Sequence, residues 1–186
     1  EIERAELHGA TGMALERIHA ADPATVAVSL ALYFTAAGDW ARAIRYRLLA
    51  AESAARTFAH DQAVEHFEQV MVLEATHRRF VGAVINVAMV QESLGDELLM
   101  LRRWAAAEAS FRTSLDLVAA DRVAPARLLR KLARVEERQS RYAEAARRLQ
   151  SAEAALREPD TDAPSAWWHE WIDIQIALSF VHYWQG

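Results

Sequence analysis

Apolar residues along this chain recur at intervals of three and four, and no segment alternates apolar and polar residues as a half-buried strand would. Leu128, Leu132, Val135 and Gln139 show the pattern well: at about 100° per residue they fall in a narrow arc, with Leu129 beside it. The pattern predicts an all-α chain of nine helices, at about 2–19, 23–37, 40–57, 60–75, 78–101, 103–119, 124–139, 142–157 and 164–185. Three of the four prolines stand where a helix should begin. Asp22-Pro23 offers an N-cap carboxylate and a proline at the first helical position. Pro125 follows Asp121, and Pro164 follows Asp160-Thr161-Asp162. Pro159 shares that last break, so 158–163 reads as a loop.

One short phrase returns three times at the predicted bends: Gly38-Asp39-Trp40-Ala41-Arg42-Ala43, Arg102-Arg103-Trp104-Ala105-Ala106-Ala107 and Ser140-Arg141-Tyr142-Ala143-Glu144-Ala145. A ring three residues before an alanine suits a helical hairpin. The ring fills the wedge between the helices, and the small side chain lets their backbones approach. Repetition of this device predicts a helical solenoid, each pair burying its apolar face against the next.

The order of large and small residues resembles that of tetratricopeptide-repeat proteins. One repeat reads Leu94, Gly95, Leu98, Trp104, Ala107, Phe111, and another Leu132, Ala133, Tyr142, Ala145, Leu149, Ala152. An earlier one reads Leu30, Ala31, Phe34, Trp40, Ala43, Ala50, and a weaker one His60, Ala63, Phe67. Alanines 43, 63, 107 and 145 depart from the family's regular period of about 34 residues, as in a degenerate array with elongated helices. The stretch from Leu7 to Ala75 and the tail from Trp167 to Gln175 resemble repeat regions downstream of the ATPase module in large bacterial signalling proteins. Some transcriptional activators and nucleotide cyclases are of that kind. The resemblance implies a right-handed superhelix of antiparallel helix pairs with a concave face, and a non-catalytic scaffold that holds a protein segment or the parent's other domains. It equally allows a small-molecule sensor that gates an attached ATPase or effector. No Gly-x-x-x-x-Gly-Lys-Ser/Thr loop occurs, so no nucleotide site and no cofactor follow. The chain is expected to be one domain excised from a longer protein, its last helix lacking a hairpin partner.

Composition narrows the partners. With 186 residues the chain can bury roughly 70% of its unfolded surface, enough for a domain without staples. It has no cysteine, which excludes disulfides, thiolate catalysis and thiolate metal sites. A net charge of −5 argues against general nucleic-acid binding, which needs a basic face. The most apolar stretch, Trp171 to Trp184, is too short to span a bilayer and carries Asp173, Gln175 and His182. With no signal sequence ahead of the first helix, a cytoplasmic location and no membrane partner are expected.

Two features offer binding chemistry. Arg127, Arg130, Lys131, Arg134, Arg138 and Arg141 share one helix face, away from Leu128, Leu132 and Val135. The resemblance makes positions 127, 130, 134 and 138 groove-facing, and Arg130 and Arg134 have the spacing with which some members hold a peptide's terminal carboxylate. Glu92 and Asp96 occupy the equivalent positions one repeat earlier, so a salt-bridge ladder, an open anion groove and a solvated face all remain open. The second feature is the aromatic tail: of six tryptophans, 167, 168, 171 and 184 lie in the last predicted helix, with Phe180 and Tyr183. One neighbour cannot cover so many large side chains. Ile176, Phe180, Tyr183 and Trp184 correspond to groove-side positions, to be covered by a following repeat, by a second copy in a homodimer, or by a ligand.

Catalysis finds little support. His169-Glu170-Trp171-Ile172-Asp173 has an aspartate where a zinc-protease helix needs its second histidine, so no metal site is expected. His60 and His66 do not share a face, and His60 is assigned to packing at a bend. Asp160 and Asp162 fall in the proline-bounded loop, where turn chemistry explains them.

Overall fold

The computed structural model describes residues 2–81, 85–118, 121, 123–156 and 164–185. Among them every regular element is helical: α1 (Ile2–Ile18), α2 (Ala27–Ala37), α3 (Trp40–Arg56), α4 (His60–Val81), α5 (Val87–Met100), α6 (Trp104–Leu117), α7 (Ala124–Arg138), α8 (Tyr142–Leu156) and α9 (Ser165–Gln185). Asp160, Asp162 and the rest of the predicted 158–163 loop lie outside the described residues. The architecture is an all-α helical-repeat arrangement in which successive helices pack on one another from α1 to α5 and again from α6 to α9.

The bends repeat one backbone device. Gly38, Phe58, Arg102 and Ser140 all adopt the left-handed conformation, with φ of +76°, +59°, +59° and +60°. Each stands two residues ahead of the ring that opens the next helix: Trp40, His60, Trp104 or Tyr142. A left-handed residue at a helix end turns the following N–H back onto the last turn. Asp39, Ala59 and Arg141 accordingly donate to the carbonyls of Phe34, Ala54 and Glu136, each at 2.9 Å. Only Gly38 adopts this conformation without a Cβ penalty. Ala43, Ala63, Ala107 and Ala145, one turn further on, are each 0% exposed, so a larger side chain there would separate the helices. The rings themselves are half-buried.

Two predicted boundaries need correction. Asp22-Pro23 does not start α2: residues Pro23–Val26 form a 3-10 turn, and the Asp22 side chain makes no cap bond. The Thr25 hydroxyl donates to the Asp22 carbonyl instead, and Val26, at φ −121°, lies outside helical geometry before α2 begins. The predicted break at 75–78 is only a kink. His77 has φ −115°, but the helix resumes and continues to Val81. The next helix starts at Val87 rather than 78, because the Asn86 side chain caps it by accepting from the Met89 N–H at 3.2 Å. Asp121, two residues ahead of the N-cap position Val123, steadies the start of α7: one carboxylate oxygen accepts from the N–H groups of Val123 and Ala124, both at 2.7 Å. Those two bonds hold its carboxyl below the usual range.

Packing divides the chain into two compact units, 1–101 and 102–186. In the first, Leu30, Ala31, Phe34, Ala43 and Tyr46 form a core cluster supported by Leu15, Val26, Leu49 and Leu73. Phe34 stacks on Tyr46 at 5.7 Å. Gly12 lets α1 approach, since a Cβ there would lie 3.1 Å from the Phe34 ring. Burial, and then its hydrogen bond to Glu16, push the Tyr46 hydroxyl up to about 12. In the second unit Ala133, Ala145, Leu149, Ala152, Ile174 and Val181 form the centre, with Tyr142 and Leu129 packed against them.

Candidate interaction surfaces

In the second unit, α7 buries Leu128, Leu132 and Val135 and turns its arginines outward, as the helical arc requires. Arg134 and Arg138 are exposed, and Arg127 is half-buried. Arg130 is different. Its Nε donates to Glu170 Oε1 at 2.5 Å and its second amino group to Oε2 at 3.0 Å, while Asp173 lies 3.2 Å away. Burial alone would lower this guanidinium, but the bonds to Glu170 and the charges of Glu170 and Asp173 prevail and hold it above its ordinary value. The fork that the 130/134 spacing offers to a ligand carboxylate is therefore filled by the chain itself. This partner stands 40 residues away on α9, where no pattern within one repeat points.

A second internal pair lies beside it. Glu136, buried on α7, accepts from Arg148 of α8 at 2.9 Å, and its other oxygen has no hydrogen-bond partner among the described residues. The bonds to Glu136 outweigh burial and raise the Arg148 guanidinium.

The outer face of α9 is an exposed apolar surface. Trp167, Glu170, Ile174, Leu178 and Val181 face inward, and the Trp167 indole donates to the Leu156 carbonyl at 3.0 Å. At about 100° per residue Trp171 borders the buried arc, and the other large residues fall on the opposite side or its margins. Ile172, Ile176, Phe180 and Tyr183 are spaced by four, four and three, with Trp168 and Trp184 at the margins, and all six are exposed. Ile176 is 64% exposed and Tyr183 77%. Trp184 leans back over the bend to stack on Tyr142, with centroids 6.3 Å apart and planes 12° off parallel. Phe180 and Tyr183 contact the same indole at 6.1 and 5.5 Å. A helix that is apolar all round belongs in an interior, and this one has only one side covered.

In the first unit, Glu52, Ala55, Arg56, Phe67, Ser93, Asp96 and Glu97 line a cleft of about 290 Å³ between α3, α4 and α5. Three carboxylates and one guanidinium make it net acidic. Asp96 is thus a cleft residue, and Glu92 is half-buried on the same helix. His60, assigned to packing, gains a partner that sequence reading missed: its Nδ1 lies 2.6 Å from Glu97 Oε2. Deeper in the same unit, Arg47 is only 8% exposed, and its Nε has no hydrogen-bond partner among the described residues. Burial pushes this guanidinium down, and the charge of Glu65 offsets part of the effect. His66 Nδ1 is likewise buried without a partner, and burial and then Arg47 push that imidazole down. Nothing in the sequence distinguishes Arg47 from its exposed neighbours Arg42 and Arg45 except its phase with Ala43, Ala50 and Ala54.

Among the described residues no cluster of three or more histidines or carboxylates is placed to hold a metal ion, and Asp173 of the zinc-motif look-alike is engaged with Arg130. No helix among them is long and apolar enough to cross a membrane. No family model matches the chain. No curated protein matches it either. Among solved structures it is similar to BtubC (BKLC) from P. vanneervenii, with a TM-score of 0.58 and 13% identity, over 98% of this chain and 90% of that one. At that identity the likeness speaks for the fold alone: an all-α, helical-repeat-like arrangement.

Proposed function

We propose that this chain is a non-catalytic tetratricopeptide-type scaffold that mediates protein–protein or interdomain contact within a larger bacterial signalling protein, in the cytoplasm. The observation that carries the reading is the outer face of α9, where six large apolar side chains stand exposed on a helix whose other side is already buried. The fully buried alanines and the shared left-handed bends support the repeat assignment. A photo-crosslinking amino acid at position 176, with Gln150 as the exposed control, tests the function. Adducts to polypeptide at 176 and none at 150 are expected. Equal labelling at both positions, or none at 176, would remove the basis of the reading.

The cleft between α3 and α5 favours a second reading, a small-molecule sensor that gates an attached ATPase or effector. A metabolite that raises the melting temperature of the chain, and loses that effect in Asp96→Asn, would support it over the scaffold.

A further inference from the structure

We infer that the outer face of α9 pairs with the same face of a second copy of this chain, in antiparallel register about a two-fold axis level with Leu178. The inference rests on the reading that this face is an interaction surface, and it names the occupant.

Three properties of the face fit a second copy. The first is its polarity along the helix. The N-terminal half of the seam is aliphatic, Ile172 and Ile176, and the C-terminal half is aromatic, Phe180, Tyr183 and Trp184. Antiparallel pairing about Leu178 sets Ile172 against Trp184 of the second copy and Ile176 against its Phe180. Phe180 and Trp184 then each meet an aliphatic side chain in both directions, so bulk is shared evenly along the contact. Parallel pairing would set ring against ring at one end and leave the other end thin.

The second property is charge. In an isologous contact a charged seam faces its own charge. Between Ile172 and Trp184 this seam has a single ionised group at its border, Asp173, already countered by Arg130 at 3.2 Å. The proposed register brings Asp173 opposite the Tyr183 hydroxyl, a donor for that carboxylate. Antiparallel helix dipoles add a favourable term.

The third is area. The exposed parts of Ile172, Ile176, Phe180, Tyr183 and Trp184 amount to roughly 600 Å² per copy, at the lower end of what each partner contributes to a stable interface.

The test uses the 186-residue chain in sedimentation velocity and light scattering at micromolar concentration. Wild type is expected at the mass of two chains, and Ile176→Glu and Phe180→Lys, each with unchanged circular dichroism, at the mass of one. Mixing the two variants is expected to restore the double mass, because the register places Glu at 176 of one chain against Lys at 180 of the other. A monomeric wild type would overturn the inference while leaving the crosslinking result to decide the scaffold reading. So would a dimer indifferent to both substitutions. Failure of the mixture to reassociate would overturn the antiparallel register and with it the proposal.

Discussion

Arg130 in the second unit and Arg47 in the first are both drawn into helix seams, but among the described residues only Arg130 is bonded to a counter-charge there, while Glu65 acts on Arg47 through its charge alone. Arg130 is met by Glu170 and Asp173 of a neighbouring helix, and its guanidinium is held more basic than usual. Arg47 lies among alanines with its Nε unpartnered among the described residues, as is the Nδ1 of nearby His66, and is held less basic than usual. Desolvation opposes the charge in both, and what differs is whether the neighbouring helix supplies a carboxylate at bonding distance. In the second unit ion pairing outweighs the desolvation. In the first, the apolar packing of α3 tolerates a charge that contributes little.

The largest expected effect comes from breaking the satisfied case. Glu170→Gln leaves Arg130 buried with Asp173 alone, and should lower the unfolding free energy by about 2 kcal/mol in urea titration at unchanged m-value. A loss of only a few tenths would show Asp173 to be sufficient. A smaller effect of opposite sign is expected from Arg47→Met, which replaces a buried charge, only partly offset by Glu65, with an apolar chain of similar length. It should raise stability by about 1 kcal/mol, read from the denaturant midpoint. Destabilisation would mean that the guanidinium serves contacts its surroundings do not show.

The smallest effect is the pH dependence around His66. Its folded pKa lies below the ordinary 6.5, so just below pH 6.5 the unfolded chain binds the proton that the folded chain refuses. Stability therefore falls as pH drops through 6.5, with a slope of at most about 1.4 kcal/mol per pH unit, until the folded imidazole also protonates. His66→Gln should remove that slope, and Arg47→Met should make it shallower by removing a like charge. Equal slopes in all three chains would detach His66 from Arg47. Asp121, also held low, acts in a separate acid window. Its contribution is present above the ordinary 3.8 and is lost as pH falls through its folded pKa.

Much of this molecule was legible from local pattern. The helices after Trp40, Trp104 and Tyr142, the buried alanines and the Asp121-Pro125 start depend on residues within a turn or two of one another. The α9 sequence also announces an apolar excess without any partner in view. Less visible were the bridging of the predicted break at 75–78, where a kink at His77 is absorbed, and the Asn86 cap that begins α5 late. Periodicity alone does not distinguish a bend from an end.

The sequence by itself determined the all-α class, the repeated bends and the inward face of the amphipathic helices such as α7, because those follow from side-chain size and the phase of the helix. The tertiary structure alone decided which charges meet. Glu170 reaches Arg130 across 40 residues and Arg148 reaches Glu136 across 12, while the Arg47 Nε is left without a hydrogen-bond partner among the described residues. Those outcomes depend on the angle and sliding register of one helix on another, set by the summed packing of many small contacts rather than by any short motif.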